Sequence, residues 1–249
     1  MKAIFIAAGE GSRMKELTRN TPKPLIEVNG KSILERQISI LKKFNITEIL
    51  IITGPFPNKY KFQDVLYSND QNFKEHDQLG SLGTAINQID DDVLIIFADI
   101  LFDESVLLEV CKNNSDIVIA VDMNWEKYEA RNANPIDEAD KVSLFNGNVK
   151  RIFKQKISDD EKYSIGEFIG LMKINHNGSD IFRKVFSDLQ QAHIGKFHDA
   201  DSFKKAKLVD FLQEMIERGI KIEPQIIDGK WCEIDTLQDL EIAKNMFRD

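Results

Sequence analysis

Apolar and polar positions follow two different periods along the first half of the chain. Apolar runs rich in Ile and Val occur at residues 2–8, 48–53, 93–97 and 117–121, and each predicts a buried strand. Residues 32–44 carry Leu34, Ile38 and Leu41 at helical spacing, and a shorter helix is expected around residues 105–111. Because strands and amphipathic helices alternate, the pattern predicts an α/β fold with a mostly parallel sheet flanked by helices.

The second half of the chain is mixed rather than strictly alternating. Its predicted strands lie at residues 141–145, 148–153 and 168–174, and its predicted helices lie at 205–218 and 236–247. Asn146 and Gly147 separate the first two strands and predict a tight hairpin, because both residues tolerate a positive φ. Gly219 is placed to end one helix, and Thr236 with Asp239 resembles a capping box that starts the other.

Two polar stretches interrupt these patterns, at residues 123–140 and 193–202, and they predict long loops or lids. No Pro- or Ser-rich linker separates the halves of the chain, and no internal repeat occurs. The sequence therefore predicts a single domain over residues 1–249.

Composition restricts the classes of partner. The 249 residues include 33 Lys and Arg against 41 Asp and Glu, for a net charge of −8. Such a balance argues against general binding to nucleic acid or to anionic membranes, because both require clustered cations. The apolar run at residues 2–8 is too short for a membrane span. Cys111 and Cys232 lie far apart without zinc-site spacing, which favours a reducing cytoplasm.

A glycine-rich turn follows the first predicted strand directly, at residues 7–13 with the sequence Ala-Ala-Gly-Glu-Gly-Ser-Arg. Glycines let the backbone approach an anion, and exposed N–H groups can hold phosphate. The spacing is not that of a Walker A loop, and Met14 stands where a dinucleotide fingerprint has its third glycine. Taken alone, the turn could equally use glycine only for its geometry.

The residues that follow extend this turn into a longer pattern, A-A-G-x-G-S-R-M…L-T…P-K-P-L…V-x-G-K…L-E, over residues 7–35. This pattern closely resembles the nucleotidyltransferases that make nucleoside-diphosphate sugars, alcohols and phosphonates. The resemblance implies their Rossmann-like fold, with a mixed, mostly parallel sheet flanked by helices. It implies that residues 1–122 bind nucleotide and that residues 123–249 bind the acceptor. It also implies triphosphate contacts for the turn, a pyrophosphate contact for Arg13 and a phosphate contact for Lys23. The turn residues so assigned are Ala7, Ala8, Gly9, Gly11, Ser12 and Arg13.

Acidic residues suited to Mg²⁺ lie in two places. Asp99 follows a buried strand, at the sheet edge where open α/β folds bind ligands. Glu233 and Asp235 are two residues apart, so an extended segment presents both side chains on one face. Magnesium takes one or two protein carboxylates together with substrate phosphates, and the family resemblance assigns these positions to that metal. The alternative is that Asp99 and Asp235 only cap helices.

Residues 78–85 lie where the resemblance places the nucleobase, and Gln78, Gly83 and Thr84 are the expected contacts. The identity of the base is not encoded in this segment. A plain turn before a helix is the alternative interpretation.

Acceptor contacts follow from a more particular resemblance, carried by residues 116–125, 131, 137–142, 166–173 and 233–236. Together they look like nucleotidyltransferases encoded with, or fused to, phosphoenolpyruvate mutase, which activate small phosphonates or phosphoesters with CTP. The resemblance implies that Asp122, Arg131 and Glu167 line the acceptor pocket and that Lys154 approaches the α-phosphate. Trp125 and Trp231 could face a cationic head group such as choline or ethanolamine, although tryptophan more often packs in the core.

The sequence thus predicts an enzyme that couples a nucleoside triphosphate, CTP first, to a small phosphonate or phosphomonoester and releases pyrophosphate with Mg²⁺. Related enzymes are often dimers, so the resemblance implies a homodimer. A phosphate nucleophile is largely dianionic at neutral pH, so no general base is expected, and the four histidines are predicted to be surface residues. The alternatives are a sugar-1-phosphate nucleotidyltransferase using UTP, dTTP or GTP, and a nucleotide-binding regulatory subunit without turnover.

Overall fold

The computed structural model describes residues 1–127, 139–154 and 162–248. The strands are β1 (Lys2–Ala7), β2 (Glu27–Val28), β3 (Lys31–Ser32), β4 (Glu48–Thr53), β5 (Leu66–Asn69), β6 (Val93–Phe97), β7 (Ile100–Phe102), β8 (Ile117–Asp122), β9 (Lys141–Phe145), β10 (Asn148–Phe153), β11 (Ser164–Ile174), β12 (Glu223–Ile226) and β13 (Trp231–Glu233). The α-helices are α1 (Ile33–Lys43), α2 (Gln78–Gly83), α3 (Glu104–Lys112), α4 (His176–Ala192), α5 (Leu208–Glu217) and α6 (Leu237–Met246).

One sheet holds nine of the strands in the described ranges. Seven of them lie side by side in the order β10-β9-β11-β6-β1-β4-β5, and β8 and β12 lie off this path. The parallel centre is formed by β6, β1, β4 and β5, and β11 pairs antiparallel with β6. β8 also pairs with β11, and β12 pairs with β8. The predicted α/β architecture is therefore confirmed. Strands from both halves of the chain, before and after residue 122, pair within this one sheet.

Local sequence signals account for several element boundaries. Ser32 and Glu35 form the capping box that begins α1, and Leu34, Ile38 and Leu41 bury one face of that helix against the sheet. The hairpin prediction is confirmed, because Asn146 and Gly147 both adopt positive φ between β9 and β10.

Two helices differ from the sequence prediction. α4 was not predicted, although Phe182, Val185, Phe186 and Leu189 follow a helical period and Asn175 caps the first turn. The segment expected to be a base-binding loop forms the short helix α2 instead. No helix in the described ranges is both long and apolar enough to cross a bilayer.

Candidate active site

A cleft of about 440 Å³ opens at the carboxyl ends of β1 and β6. The glycine-rich turn forms one wall of the cleft, the segment leading into α2 forms another, and Asp99 and Asp235 lie at its floor. The predicted site residues that line it are Ala7, Ala8, Gly9, Gly11, Ser12, Arg13, Lys23, Gln78, Asp99 and Asp235. Residues that are distant in sequence thus meet at one sheet edge, as expected for an open α/β fold.

The glycine-rich turn is built around Gly11. This residue has φ +63°, and a Cβ atom added there would lie 2.9 Å from the Lys23 Cβ. The Thr18 Oγ1 donates a hydrogen bond of 2.8 Å to the Gly11 carbonyl and holds the turn. Within the described residues, the backbone N–H groups of Gly9, Glu10 and Gly11 make no protein hydrogen bond. The turn therefore presents N–H donors that an anion in the cleft can accept.

Lys23 lies under the turn and is nearly buried. Its Nζ is 2.9 Å from the Asp99 Oδ2 and also contacts the Asp235 Oδ1. Burial alone would lower the pKa of Lys23, but the negative charges of Asp99 and Asp235 outweigh it and raise the pKa. The ammonium therefore stays charged, and Lys23 acts as a cation rather than as a proton acceptor.

Asp235 is held between two cations. Burial would raise its pKa, but the charges of Lys23 and Arg13 outweigh burial and lower it. The Arg13 guanidinium is 2.7 Å from the Asp235 Oδ2, while half of its own side chain is exposed to the cleft. The ion pair thus holds one guanidinium nitrogen of Arg13, and the other N–H groups of the guanidinium can donate to a ligand.

The predicted metal-binding carboxylates converge. Oxygen atoms of Asp99, Glu233 and Asp235 all lie within 4.8 Å of one another. The helix-capping alternative is wrong for both aspartates, because the described structure uses Asp103 and Thr236 as the caps of α3 and α6. The arrangement fits a hard divalent cation, which prefers carboxylate oxygen. The Asp99 Oδ1 supports this fit, since it is buried and accepts no hydrogen bond from the described residues.

Lys154 does not line this cleft but a neighbouring cavity, and Lys207 beside it lines both. The Lys154 Nζ is 3.2 Å from the Asp140 Oδ1. Burial would lower the pKa of Lys154, but Asp140 outweighs burial and raises it. Burial, then the charge of Lys154, lowers the pKa of the adjacent Lys207. Lys207 also lines the cleft, so it adds a positive group that the sequence did not single out.

Two of the predicted base contacts, Gly83 and Thr84, lie outside the lining of the cleft. Gly83 lies near the Phe186 and Gln190 side chains, and Thr84 donates to the Ser81 carbonyl at 2.8 Å while its side chain faces Ser68 on β5. Neither lines the cleft, because the short helix α2 turns its C-terminal end away. Gln78, at its first turn, does line the cleft.

The predicted acceptor residues that the structure describes are buried. The Asp122 Oδ2 accepts a 2.9 Å hydrogen bond from the Trp231 indole, and Trp125 is about 1% exposed with its indole donating to the Ile165 carbonyl. Trp125 therefore packs in the core and presents no ring face to the cleft. Glu167 is buried on β11, paired in register with Asp122. Arg131 lies outside the described residues.

Sequence reasoning assigned no role to several other residues that line the cleft, among them Phe73, Lys74, His76, Asp77, Ser81 and Lys207. The prediction that each histidine is a surface residue is wrong for His76, whose side chain is about 15% exposed and contacts Asp70. No local pattern marks these positions, because they reach the cleft only through the packing of α2 and α5.

Comparison with known proteins shows the family to which the chain belongs. Residues 3–144 match the MobA-like NTP transferase domain. The chain belongs to this family. It is a nucleotidyltransferase, and the matched residues include the glycine-rich turn, Lys23 and Asp99.

Individual relatives agree with that assignment. The chain is 28% identical to a CTP:phosphoglutamine cytidylyltransferase of Campylobacter jejuni, over 97% of this chain and 98% of that protein. Its fold is similar to that of the CTP:phosphocholine cytidylyltransferase of Streptococcus pneumoniae, with a TM-score of 0.72 and 18% identity over 99% of each chain. A UDP-glucose pyrophosphorylase shares the fold with a TM-score of 0.71 and 14% identity, over 98% of this chain and 96% of that one.

Proposed function

We propose that this nucleotidyltransferase moves a cytidylyl group from CTP to an oxygen of a small phosphomonoester or phosphonate and releases pyrophosphate. The observation that carries the proposal is the similarity to a cytidylyltransferase over nearly the full length of both chains. The cleft is consistent with this, because it joins an N–H-rich turn, buried cations and a group of carboxylates. Those are the parts that nucleotidyl transfer requires.

The reaction forms one bond and breaks one. An oxygen of the acceptor phosphate attacks the α-phosphorus of CTP, the bond from that phosphorus to the β-phosphate oxygen breaks, and pyrophosphate leaves. Because both reactants are anionic, positioning and positive charge lower the barrier. We assign the triphosphate to the turn, pyrophosphate to Arg13 and the phosphates to Lys23. Lys154 holds the α-phosphate as negative charge spreads, and its raised pKa keeps it protonated there.

Asp99, Glu233 and Asp235 would hold a divalent cation, for which we propose Mg²⁺. When bound, the cation neutralises phosphate charge. Lys23 meanwhile keeps two of the carboxylates oriented and limits their mutual repulsion. We expect Asp99→Asn to raise the Mg²⁺ concentration needed for half-maximal binding, measured by calorimetric titration of Mg²⁺ in the presence of CTP.

The acceptor is a phosphomonoester or phosphonate of the size of phosphocholine or 2-aminoethylphosphonate. We assign the contacts with the acceptor to Asp122, Glu167 and Arg131. Similarity to enzymes named for phosphoglutamine and phosphocholine supports phosphomonoesters first.

A sugar-1-phosphate nucleotidyltransferase is the second candidate, because the fold is also that of a UDP-glucose pyrophosphorylase. A regulatory subunit without turnover is disfavoured, since Arg13, Lys23, Asp99 and Asp235 are all present and joined by ion pairs.

Pyrophosphate release separates these functions. CTP, UTP, GTP, ATP and dTTP are each paired with phosphocholine, 2-aminoethylphosphonate, 2-hydroxyethylphosphonate and glucose-1-phosphate in the presence of Mg²⁺. We expect turnover with CTP and a phosphoalcohol or phosphonate. Turnover with glucose-1-phosphate and another nucleotide would instead assign the chain to the sugar branch.

A further inference from the structure

The neighbouring cavity meets the cleft at a lysine. This cavity of about 450 Å³ lies between β10 and α5, and its lining includes Lys154, directly after β10, and Gln213 on α5. Lys207, which directly precedes α5, lines both the cleft and the neighbouring cavity. A ligand in the neighbouring cavity can therefore reach Lys207 while a nucleotide occupies the cleft.

The backbone around Lys207 is fixed by two hydrogen bonds at the start of α5. The Lys207 N–H donates a 2.8 Å hydrogen bond to the Asp210 Oδ2. The N–H of the next residue, Leu208, donates one of 2.8 Å to the Gln78 Oε1. These contacts restrict where the side chain of Lys207 begins, and they leave its ammonium group unused.

Lys154 is anchored in a similar way. Its carbonyl accepts a 2.6 Å hydrogen bond from the Nζ of Lys141, a fully buried side chain on β9. The amino groups of Lys154 and Lys207 contact each other at hydrogen-bonding range. The structure thus holds two amino groups side by side at the junction of the cleft and the neighbouring cavity.

Positive charge exceeds negative charge at this junction. Asp140 forms an ion pair with Lys154. Lys207 makes no ion pair with a carboxylate of the described residues, and Asp140 and Asp77 attract it only from a longer distance. Burial and then the charge of Lys154 lower the pKa of Lys207. An anion bound against both amino groups offsets their repulsion, so the junction suits a compact dianion such as a phosphate or phosphonate group.

We propose that Lys207 binds the phosphate or phosphonate group of the acceptor, beside the α-phosphate that is assigned to Lys154. This deepens the proposed function and rests on it. Cytidylyl transfer must bring two anions to bonding distance, and two cations in contact are the complementary arrangement. Lys154 then holds the phosphorus that is attacked, and Lys207 holds the group that supplies the attacking oxygen.

The test measures acceptor binding separately from nucleotide binding. Wild type and Lys207→Met are saturated with Mg²⁺ and an unreactive CTP analogue, in which a methylene group replaces the oxygen between the α- and β-phosphorus atoms. Phosphocholine, 2-aminoethylphosphonate and inorganic phosphate are then titrated as probes by calorimetry. We expect Lys207→Met to weaken probe binding by at least about tenfold, because a hydrogen bond between charged groups is lost. The Kd of the CTP analogue should change by less than about twofold.

Two further variants serve as controls. Lys207→Arg keeps the positive charge and should retain most of the probe affinity. Lys204→Met makes the same substitution at an exposed lysine that pairs with Glu75, and it should bind the analogue and the probes as wild type does. Thermal melting verifies the folding of each variant, and Lys207→Met retains the backbone N–H that donates to Asp210.

Several outcomes would overturn the proposal. An equal loss of affinity for the CTP analogue and for the probes would show that Lys207 serves the nucleotide instead. Unchanged probe affinity in folded Lys207→Met, or no binding of any probe to wild type, would also contradict it. Pyrophosphate release tests the cytidylyltransferase function independently of these titrations. Probe binding that Lys207→Met abolishes, in a protein that releases no pyrophosphate from any nucleotide, would support the anion site and contradict the proposed reaction.

Discussion

Lys23 combines two tasks because of where its side chain lies. Its ammonium is buried between Asp99 and Asp235, and it reaches the floor of the cleft beneath the glycine-rich turn. A solvated lysine at the same sequence position would supply charge to phosphate but would not orient the carboxylates. The residue is therefore part of the fold as well as of the proposed chemistry.

Replacing Lys23 by Met should affect stability as well as turnover. The variant leaves two carboxylates without their buried partner, which typically costs about 3–5 kcal/mol. We expect a loss of that order in urea unfolding and a loss of pyrophosphate release of at least about a hundredfold. Lys204→Met, whose exposed side chain pairs with Glu75, should change stability by less than about 0.5 kcal/mol. Wild-type stability in Lys23→Met would contradict the ion-pair role.

The same ion pair predicts a direction of pH dependence. The pKa of Asp235 is lowered in the folded protein, so it contributes stability above its ordinary value of 3.8 and loses it as pH falls further. The pKa of Lys23 is raised, so its contribution is complete below its ordinary value of 10.5. We expect the contribution of the Lys23–Asp235 pair to the free energy of unfolding to stay constant between pH 6 and 9. The stability difference between wild type and Lys23→Met should stay constant down to about pH 5 and narrow as pH falls below 3.8, measured by urea unfolding at each pH. A difference that stays constant below pH 3.8 as well would contradict the assignment.

At the scale of elements, the glycine-rich turn depends on two glycines for different reasons. Gly11 has a positive φ and packs against Lys23, whereas a Cβ at Gly9 would meet no atom within 4 Å. One glycine is required by the backbone, and the other keeps the cleft open.

Two single substitutions distinguish these roles. Gly11→Ala should lose about 1–2 kcal/mol of stability, since an L-residue is strained at this φ, and should also weaken CTP binding by displacing Lys23. Gly9→Ala should keep the melting temperature of wild type and weaken only CTP binding. Thermal melting and calorimetry measure the two effects. Equal destabilisation by both substitutions would show that the turn geometry is wrong.

Sequence signals located most elements but not all of them. The ends of β4, β6, β9 and β10 agree with the prediction, because apolar runs and turn residues mark them locally. α2 was predicted as a loop, because Leu79 and Leu82 give too short a pattern to show a helical period. Its helical form depends on packing against α5 and on the Gln78 contact with Leu208.

At the scale of the whole molecule, β11 joins the two halves of the chain. It pairs with β6 from the first half and with β9 from the second, and Met172 on this strand is fully buried. The predicted single domain stays a prediction, and this shared sheet gives the physical reason to propose it.

Cooperative unfolding tests that proposal. Trp125 and Trp231 report on the second half by fluorescence, and circular dichroism reports on all helices and strands. We expect coincident urea transitions for both signals. Met172→Ala should shift both together by about 2–4 kcal/mol, because it leaves a cavity at the junction. Two separated transitions would show that the halves are independent domains.

The sequence by itself determined the α/β class, the phosphate-binding turn and the acidic positions, because short apolar runs, glycine and spaced carboxylates act through local geometry. The tertiary structure alone decided which of these side chains meet. Asp235 contacts Lys23 and Arg13 across more than two hundred residues, and the packing of α2 brings Ser81 and the preceding His76 into the lining of the cleft, while Thr84, just after the helix, faces Ser68. Such contacts depend on how elements pack, and no spacing along the chain records the direction in which a packed helix faces.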